Sequence, residues 1–425
     1  MSDVSMKLEI INTGSELLTG SVLNTHQQYL CKRLYELGFE VIRQISIPDT
    51  ADEIKSAISD SLKRADVIIT TGGLGPTSDD RTRDAVAELI GKKLIFDEQV
   101  AVNIRNYFRK RNRTEPKSAK VQAYIPEGAI VLQNQFGTAP GIVIEVDVNR
   151  GEPTQAAKSL LIMLPGPPRE LYPMFDRQVI PLLKDRFKNL TFFCKILRTT
   201  GIPESILEET IKDAIKPFEE QGLIVGYCAR VGEVDLRLEA RGNNAGKIVT
   251  DAEAVARKLL GDFIYGEGDT TLESVIVEIL KKKGRRVAVA ESCTGGYVSH
   301  RITNVPGASD VFWGAVISYS NDAKMRILGV SESSLISYGA VSEQVAKEMA
   351  EGLRRLSKSD YAISLTGIAG PGGGSEQKPV GTVFIGLCCG NETVVKKYFN
   401  PYDRETFKRV ASQQALEMLR RALIS

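Results

Sequence analysis

The sequence predicts an α/β protein in three parts, two α/β domains flanking a small α+β unit, and three observations carry that reading. The chain has 425 residues, too many for one ordinary core. Near both ends, short apolar runs alternate with helix-period segments, which is the rhythm of βαβ units and a mostly parallel sheet. Between them, after LLIMLPGPP at 160–168, the order changes to a strand, a helix, a strand pair and a helix. The expected domains are therefore 1–170, 171–266 and 267–425.

In the first part KLEIINTG reads as a strand, VLNTHQQYLCKRLYELG as a helix and FEVIRQISI as a second strand. Thr50 opens TADE, a capping-box pattern at the head of a helix, and DVIITTGG is a third strand. In the middle part FFCKILRTTG is a strand and IPESILEETIKDAIKPF a helix. LIVGYCARVG and EVDLRLEARG form a strand pair, and a helix runs from Asp251 to Leu260. Thr270 and Glu273 make a second capping-box pattern, whose helix ends at KKKG; the basic run at 281–286 suits that C-terminus through the helix dipole. RRVAVAESCTGG then begins a new alternating stretch, closed by the amphipathic helix RETFKRVASQQALEMLRRAL.

Composition excludes several classes. Fifty-five basic against fifty-three acidic residues leave a net charge of +2, so no global field favours nucleic acid or an anionic membrane. The six cysteines are scattered without a C-x-x-C, and MSDVSMKLEI lacks the apolar core of a signal peptide, which points to free thiols in a reducing cytoplasm. No apolar stretch approaches the roughly 20 residues of a bilayer span.

Two stretches draw attention as sites. TTGGLGPTSDDRTRDAV, at 70–86, follows an apolar strand and leads into a helix expected to start near Asp80. Backbone N–H groups there suit a phosphate. It is neither a Walker A motif nor G-x-G-x-x-G. Asp79 and Asp80 beside a phosphate would suit a divalent cation, which takes oxygen ligands; the plain alternative is that one of them caps the helix. INTGSELLTGS (11–21), FGTAPGI (136–142) and LPGPPRE (164–170) each put Gly or Pro after a strand-like run, so all can face one crevice. The second stretch is AESCTGG at 290–296, with Ser292, Cys293 and Thr294 in a row. Only two histidines, His26 and His300, exist to serve a nucleophile, and His300 falls inside the helix YVSHRI. The plain alternative for AESCTGG is a tight strand-to-helix turn without chemistry.

These motifs resemble the competence/damage-inducible CinA family. Its N-terminal half looks like the molybdopterin-binding domain of molybdenum-cofactor enzymes, and its patterns G-x-E-L-L-x-G, T-G-G-L-G-P-T-x-D-D, G-T-A-P-G and L-P-G-P-P-x-E are all present. The resemblance implies a pyrophosphatase acting on ADP-ribose-like nucleotides with Mg²⁺, Mn²⁺ or Co²⁺. Gly14, Glu16, Gly72, Gly73, Gly75, Thr138, Pro140 and Gly166 would bind the substrate, and Asp79 and Asp80 the metal. One departure is Asn24-Thr25-His26, where the family usually has Asp-Thr-Asn. The last part resembles the family's nicotinamide mononucleotide deamidases through ESCTGG, AVISYSNDAK (315–324), GAVSEQVA, LTGIAGPGGGSEQKPVGTVF (365–384) and YDRET (402–406). The middle part has a KH-like order, although its RGNNAG is not the G-x-x-G clamp, and reads as a spacer or dimer element.

Amide hydrolysis needs a nucleophile, a base and donors for the oxyanion. With histidine excluded, lysine remains as base, and Lys324 after SYSND is the candidate. The resemblance makes Ser292 rather than Cys293 the nucleophile. Thr294, Gly295 and Gly296 would supply backbone donors, and Tyr319 would hydrogen-bond the amine or the serine. Thr366 would face the site, Gly367, Ala369 and Gly370 would approach the ribose phosphate, and Arg404 would hold it, with Arg409 as competitor. The partners implied are small nucleotides and a second copy of the chain, and no cofactor serves the deamidase. A second reading is a regulatory protein that binds a nucleotide or pterin with one or both sites inactive.

Overall fold

The computed structural model describes residues 6–148, 157–187 and 191–425. It forms two compact units, Met1–Phe192 and Phe193–Ser425. The first contains β1 (Lys7–Thr13), α1 (Ser15–Leu18), α2 (Thr25–Glu36), β2 (Glu40–Ile47), α3 (Ala51–Leu62), β3 (Val67–Thr71), α4 (Thr82–Leu89), β4 (Leu94–Phe96) and α5 (Glu98–Arg109). It continues through β5 (Tyr124–Pro126), β6 (Ile130–Leu132), β7 (Gly141–Val148), β8 (Ala157–Leu164), α6 (Pro168–Met174) and α7 (Ile180–Arg186). The main sheet has the order β2-β1-β3-β8-β7-β6. Its first four strands are parallel, and β7 and β6 add an antiparallel edge.

Alternation along the central strands builds a core on each face. Ile11, Ile68 and Leu161 pack with α3 and α5, whereas Leu8, Ile10, Ile69 and Ile162 pack with Leu30 and Leu34 of α2. Leu171, Phe175 and Leu183 join the second of these cores, so the helices after Pro168 belong to the first unit, which extends past the expected break at residue 170. Thr50 is the N-cap of α3 but its hydroxyl makes no capping bond, so TADE is not a capping box; Asp52 and Glu53 still place negative charge in the first turn.

The second unit begins with a four-stranded sheet of order β10-β11-β9-β12, from β9 (Phe192–Thr200), β10 (Ile224–Arg230), β11 (Glu233–Arg241) and β12 (Ile264–Glu267). Helices α8 (Glu204–Glu219) and α9 (Ala245–Leu260) pack on it through Leu207, Ile211, Val249 and Ala252. The α9 helix starts at Ala245, earlier than Asp251, because burial of Ala245, Ile248 and Val249 outweighs the glycine in its first turn.

The rest comprises α10 (Leu272–Lys283), β13 (Val287–Glu291), α11 (Tyr297–Thr303), β14 (Phe312–Ile317), α12 (Asn321–Leu328), α13 (Glu332–Tyr338), α14 (Glu343–Ser357), β15 (Tyr361–Gly367), β16 (Thr382–Cys389), β17 (Glu392–Phe399) and α15 (Arg404–Ile424). Its sheet order is β14-β13-β15-β16-β17, parallel over β14, β13 and β15 and antiparallel beyond. Val287 and Val289 face α10, α11 and α15, while Ala288 and Ala290 face α14. The capping box of α10 is Thr271 with Ser274, one residue later than expected, because Glu273 is drawn into an ion pair with Arg301 at 2.7 Å. All six cysteines are free thiols. Among the described residues, no helix is long and apolar enough to cross a membrane.

Candidate active sites

In the first unit the loops after β1, β3 and β8 meet at one end of three adjacent parallel strands, around a crevice of about 540 Å³. Gly72 and Gly73 take positive φ angles of 96° and 68°, and a Cβ on Gly72 would lie 2.6 Å from the Thr13 carbonyl oxygen. The chain can turn there only without side chains. Gly14, Glu16, Gly72, Gly73, Gly75, Thr138, Gly166, Asp79 and Asp80 all line the crevice. Pro140 does not; it is buried immediately before β7. Asn24, Thr25 and His26 also line it, and the Asn24 side chain caps α2 by accepting from the Gln27 amide at 3.2 Å. Burial holds the His26 imidazole below its ordinary pKa, against the pull of Glu16.

Neither aspartate caps α4, whose N-cap is Arg81 without a side-chain bond. Asp80 Oδ2 instead accepts from the Thr77 amide at 2.9 Å and the Thr77 hydroxyl at 2.5 Å, which leaves Oδ1 for a ligand. The Asp79 carboxylate is exposed. Among the described residues no three His, Cys, Asp or Glu side chains gather into a metal cage. Two neighbouring carboxylates fit Mg²⁺ nonetheless, since that ion commonly keeps waters and takes its remaining ligands from substrate phosphates.

In the second unit Ser292, Cys293, Tyr319, Lys324, Thr366, Gly367, Ala369 and Arg404 line one cavity of about 200 Å³. Ser292 follows β13, at the C-terminal edge of the sheet, and Lys324 stands in the first turns of α12, which Ser320 caps. Its Nζ lies 3.0 Å from Ser292 Oγ, 2.8 Å from the Ser318 carbonyl oxygen and 3.5 Å from that of Tyr319. Lys324 is 1% exposed, and burial lowers its pKa from 10.5 by stripping water from the ammonium, with Cys293 opposing. The two carbonyls can only accept, so a neutral amine gives them its two N–H bonds and turns its lone pair to the Ser292 hydroxyl. Burial meanwhile pushes the Cys293 thiol up to about 12. A thiolate there is disfavoured.

Other expected residues take different places. The Gly296 amide donates to Glu291 Oε2 at 2.9 Å and the Gly295 amide to the Ser292 carbonyl at 3.2 Å, so neither is free for an oxyanion. Thr294 is buried and does not line the cavity. Tyr319 turns its hydroxyl to Arg404 Nη2, 2.8 Å away, rather than to the serine or the amine. Arg404 also donates to the Gly370 carbonyl oxygen at 2.9 Å, which puts Gly370 behind the arginine and off the cavity wall. The Thr366 hydroxyl donates to the Ala340 carbonyl oxygen at 2.7 Å. His300 is exposed on α11, outside the cavity.

Sequence reasoning missed Glu291, Asn321 and Val341. The Glu291 carboxylate is fully buried and accepts from the amides of Gly296, Val298 and Ser299 and from the Ser299 hydroxyl. It ties the turn that carries Ser292 to the start of α11. The glutamate next to the serine was the visible signal, but the partners it would find were not. Asn321 and Val341 line the cavity from SYSND and GAVSE.

Comparison with known proteins gives three family matches along the chain. Residues 9–185 match a model described as a probable molybdopterin binding domain, 194–266 the damage-inducible protein CinA KH domain, and 269–423 the CinA C-terminal domain. A CinA-like protein of Kosmotoga olearia is 44% identical over 422 residues, covering 99% of both chains. Another, of Dictyoglomus turgidum, is 42% identical over 423 residues, covering 99% of this chain and 100% of its own. The solved structure of the competence/damage inducible protein CihA from Agrobacterium tumefaciens is 38% identical, covers 36% of this chain and 94% of its own, and aligns with a TM-score of 0.35.

Proposed function

The chain belongs to the CinA family, and from that premise we propose a two-activity nucleotide hydrolase: a nicotinamide mononucleotide deamidase in the last domain and an ADP-ribose pyrophosphatase in the first. The observation that carries the first activity is the buried pair of Lys324 Nζ and Ser292 Oγ at 3.0 Å. Ser292 Oγ attacks the amide carbon while its proton passes to the neutral Lys324 amine. Of the nearby amides, those of Cys293 and Thr294 carry no backbone hydrogen bond among the described residues, and we assign the Cys293 N–H, next after the nucleophile, as donor to the developing oxyanion. Collapse breaks the C–N bond, and ammonia leaves with the proton from the Lys324 ammonium. Water then attacks the ester, giving its proton to Lys324, which returns it to Ser292 as the acid departs. Arg404, at the cavity rim, is the phosphate contact.

In the first domain the glycine-lined crevice would admit a nucleotide's phosphates, and Asp79 and Asp80 would hold the metal. A divalent ion there would supply charge neutralisation of the phosphates. Water would attack one phosphorus of the ADP-ribose pyrophosphate, its bond to the bridging oxygen would break, and the other phosphate would leave with that oxygen, giving AMP and ribose 5-phosphate. The match to a probable molybdopterin binding domain favours a second reading for this half, a binding module without turnover.

Product analysis with nicotinamide mononucleotide and with ADP-ribose, each with and without divalent metal, tests both halves. Nicotinate mononucleotide and ammonia without metal, and AMP and ribose 5-phosphate with it, are the expected products. Intact ADP-ribose would leave the binding module standing. Cys293→Ala is expected to keep deamidation within a few-fold of the parent, because the thiol stays protonated; a dead variant would transfer the nucleophile's role to Cys293.

A further inference from the structure

We propose that Gln122 is a specificity-determining residue of the first domain's crevice, one that accepts a hydrogen bond from an N–H group of a bound heterocycle. Gln122 lies on the short 3-10 helix Lys117–Ala123, lines the crevice and is 1% exposed. Its Nε2 donates to the carbonyl oxygen of Leu74, within the glycine-rich loop, at 3.3 Å. A peptide carbonyl only accepts, so turning the side-chain amide end over end would set two acceptors against each other. Oε1 is therefore the end left over, and it is buried with no hydrogen-bond partner. Buried amide oxygens are seldom left in that state, and a ligand that brings a donor to Oε1 recovers what its desolvation cost. The neighbouring wall is apolar: Leu74 and Ala139 are buried and Pro76 and Pro165 stand beside them, a lining suited to the faces of a flat ring.

This inference rests on reading the crevice as a nucleotide site, and it names the class of base: one with an exocyclic amine, as in adenine. The test is calorimetric binding of ADP-ribose and of its counterpart with hydrogen in place of the 6-amino group, with and without Mg²⁺, alongside turnover. The wild-type protein is expected to bind ADP-ribose about 10- to 100-fold more tightly, the range for a buried acceptor left without its donor. Gln122→Met should remove that preference, bringing the affinities for the two ligands within a few-fold of each other. Equal binding of the two ligands by the wild-type protein, or binding of neither, overturns the role of Gln122 whether or not the variant folds. Selective binding without cleavage keeps Gln122 and removes the pyrophosphatase; cleavage of both ligands at equal rates does the reverse.

Discussion

Lys324→Arg is expected to lower deamidation by roughly 10²- to 10⁴-fold, the range for loss of a general base. Arginine keeps the positive charge and can still donate to the carbonyl oxygens of Ser318 and Tyr319, but it does not deprotonate in a protein. Ser292→Ala should be at least as damaging, and the double variant little worse than either alone, because the two act as one unit. The pH profile supplies an independent sign. The amine must be neutral to accept the serine proton, and burial has lowered its pKa from 10.5, so kcat/KM should rise with pH through that lowered value. The same shift acts on stability: between the lowered folded pKa and 10.5 the unfolded chain binds the extra proton, so this group's contribution to stability also rises with pH there. A pH-independent rate, or an arginine variant of parental activity, would remove Lys324 from the base role.

Asp79→Asn and Asp80→Asn are each expected to reduce metal-dependent ADP-ribose cleavage by about 10²-fold or more, since each removes a charged oxygen ligand with little change in volume. The amide oxygen of asparagine can still accept from Thr77, so the loop held by Asp80 should persist and circular dichroism should be unchanged. Metal titration is the decisive measurement: saturation should move to higher concentration in both variants. Cleavage at the parental rate in both would reduce this aspartate pair to a loop-holding role.

Much of the site was legible because its residue types are unusual in combination. A chain with two histidines and a serine in a small-residue turn directs attention to lysine, and Lys324 does meet Ser292. Where the reading slipped, side-chain competition decided. Glu273 reads as the capping partner of Thr270, yet Arg301, from a different helix, captures it and the cap moves to Thr271 and Ser274. One of Asp79 and Asp80 could have capped the helix, yet neither does, and Thr77 donates to one oxygen of Asp80 before the helix begins. The two glycines after Thr294 read as donors to substrate, but the buried Glu291 carboxylate takes one amide and the Ser292 carbonyl the other.

By itself the sequence determined the three-part α/β order, the family, and the loops that line the two cavities, because hydrophobic period and glycine-rich turns act over a few residues and need no knowledge of distant partners. Only the tertiary structure decided which of those groups meet. Ser292 and Lys324 are 32 residues apart and come together because β13 and β14 pair in parallel, bringing the turn that follows one beside the helix that follows the other. Tyr319 faces Arg404 rather than the serine, and Gln122 keeps an acceptor without a partner, for the same reason. A hydrogen bond depends on direction over about 3 Å, and direction is settled by packing between segments far apart in the chain.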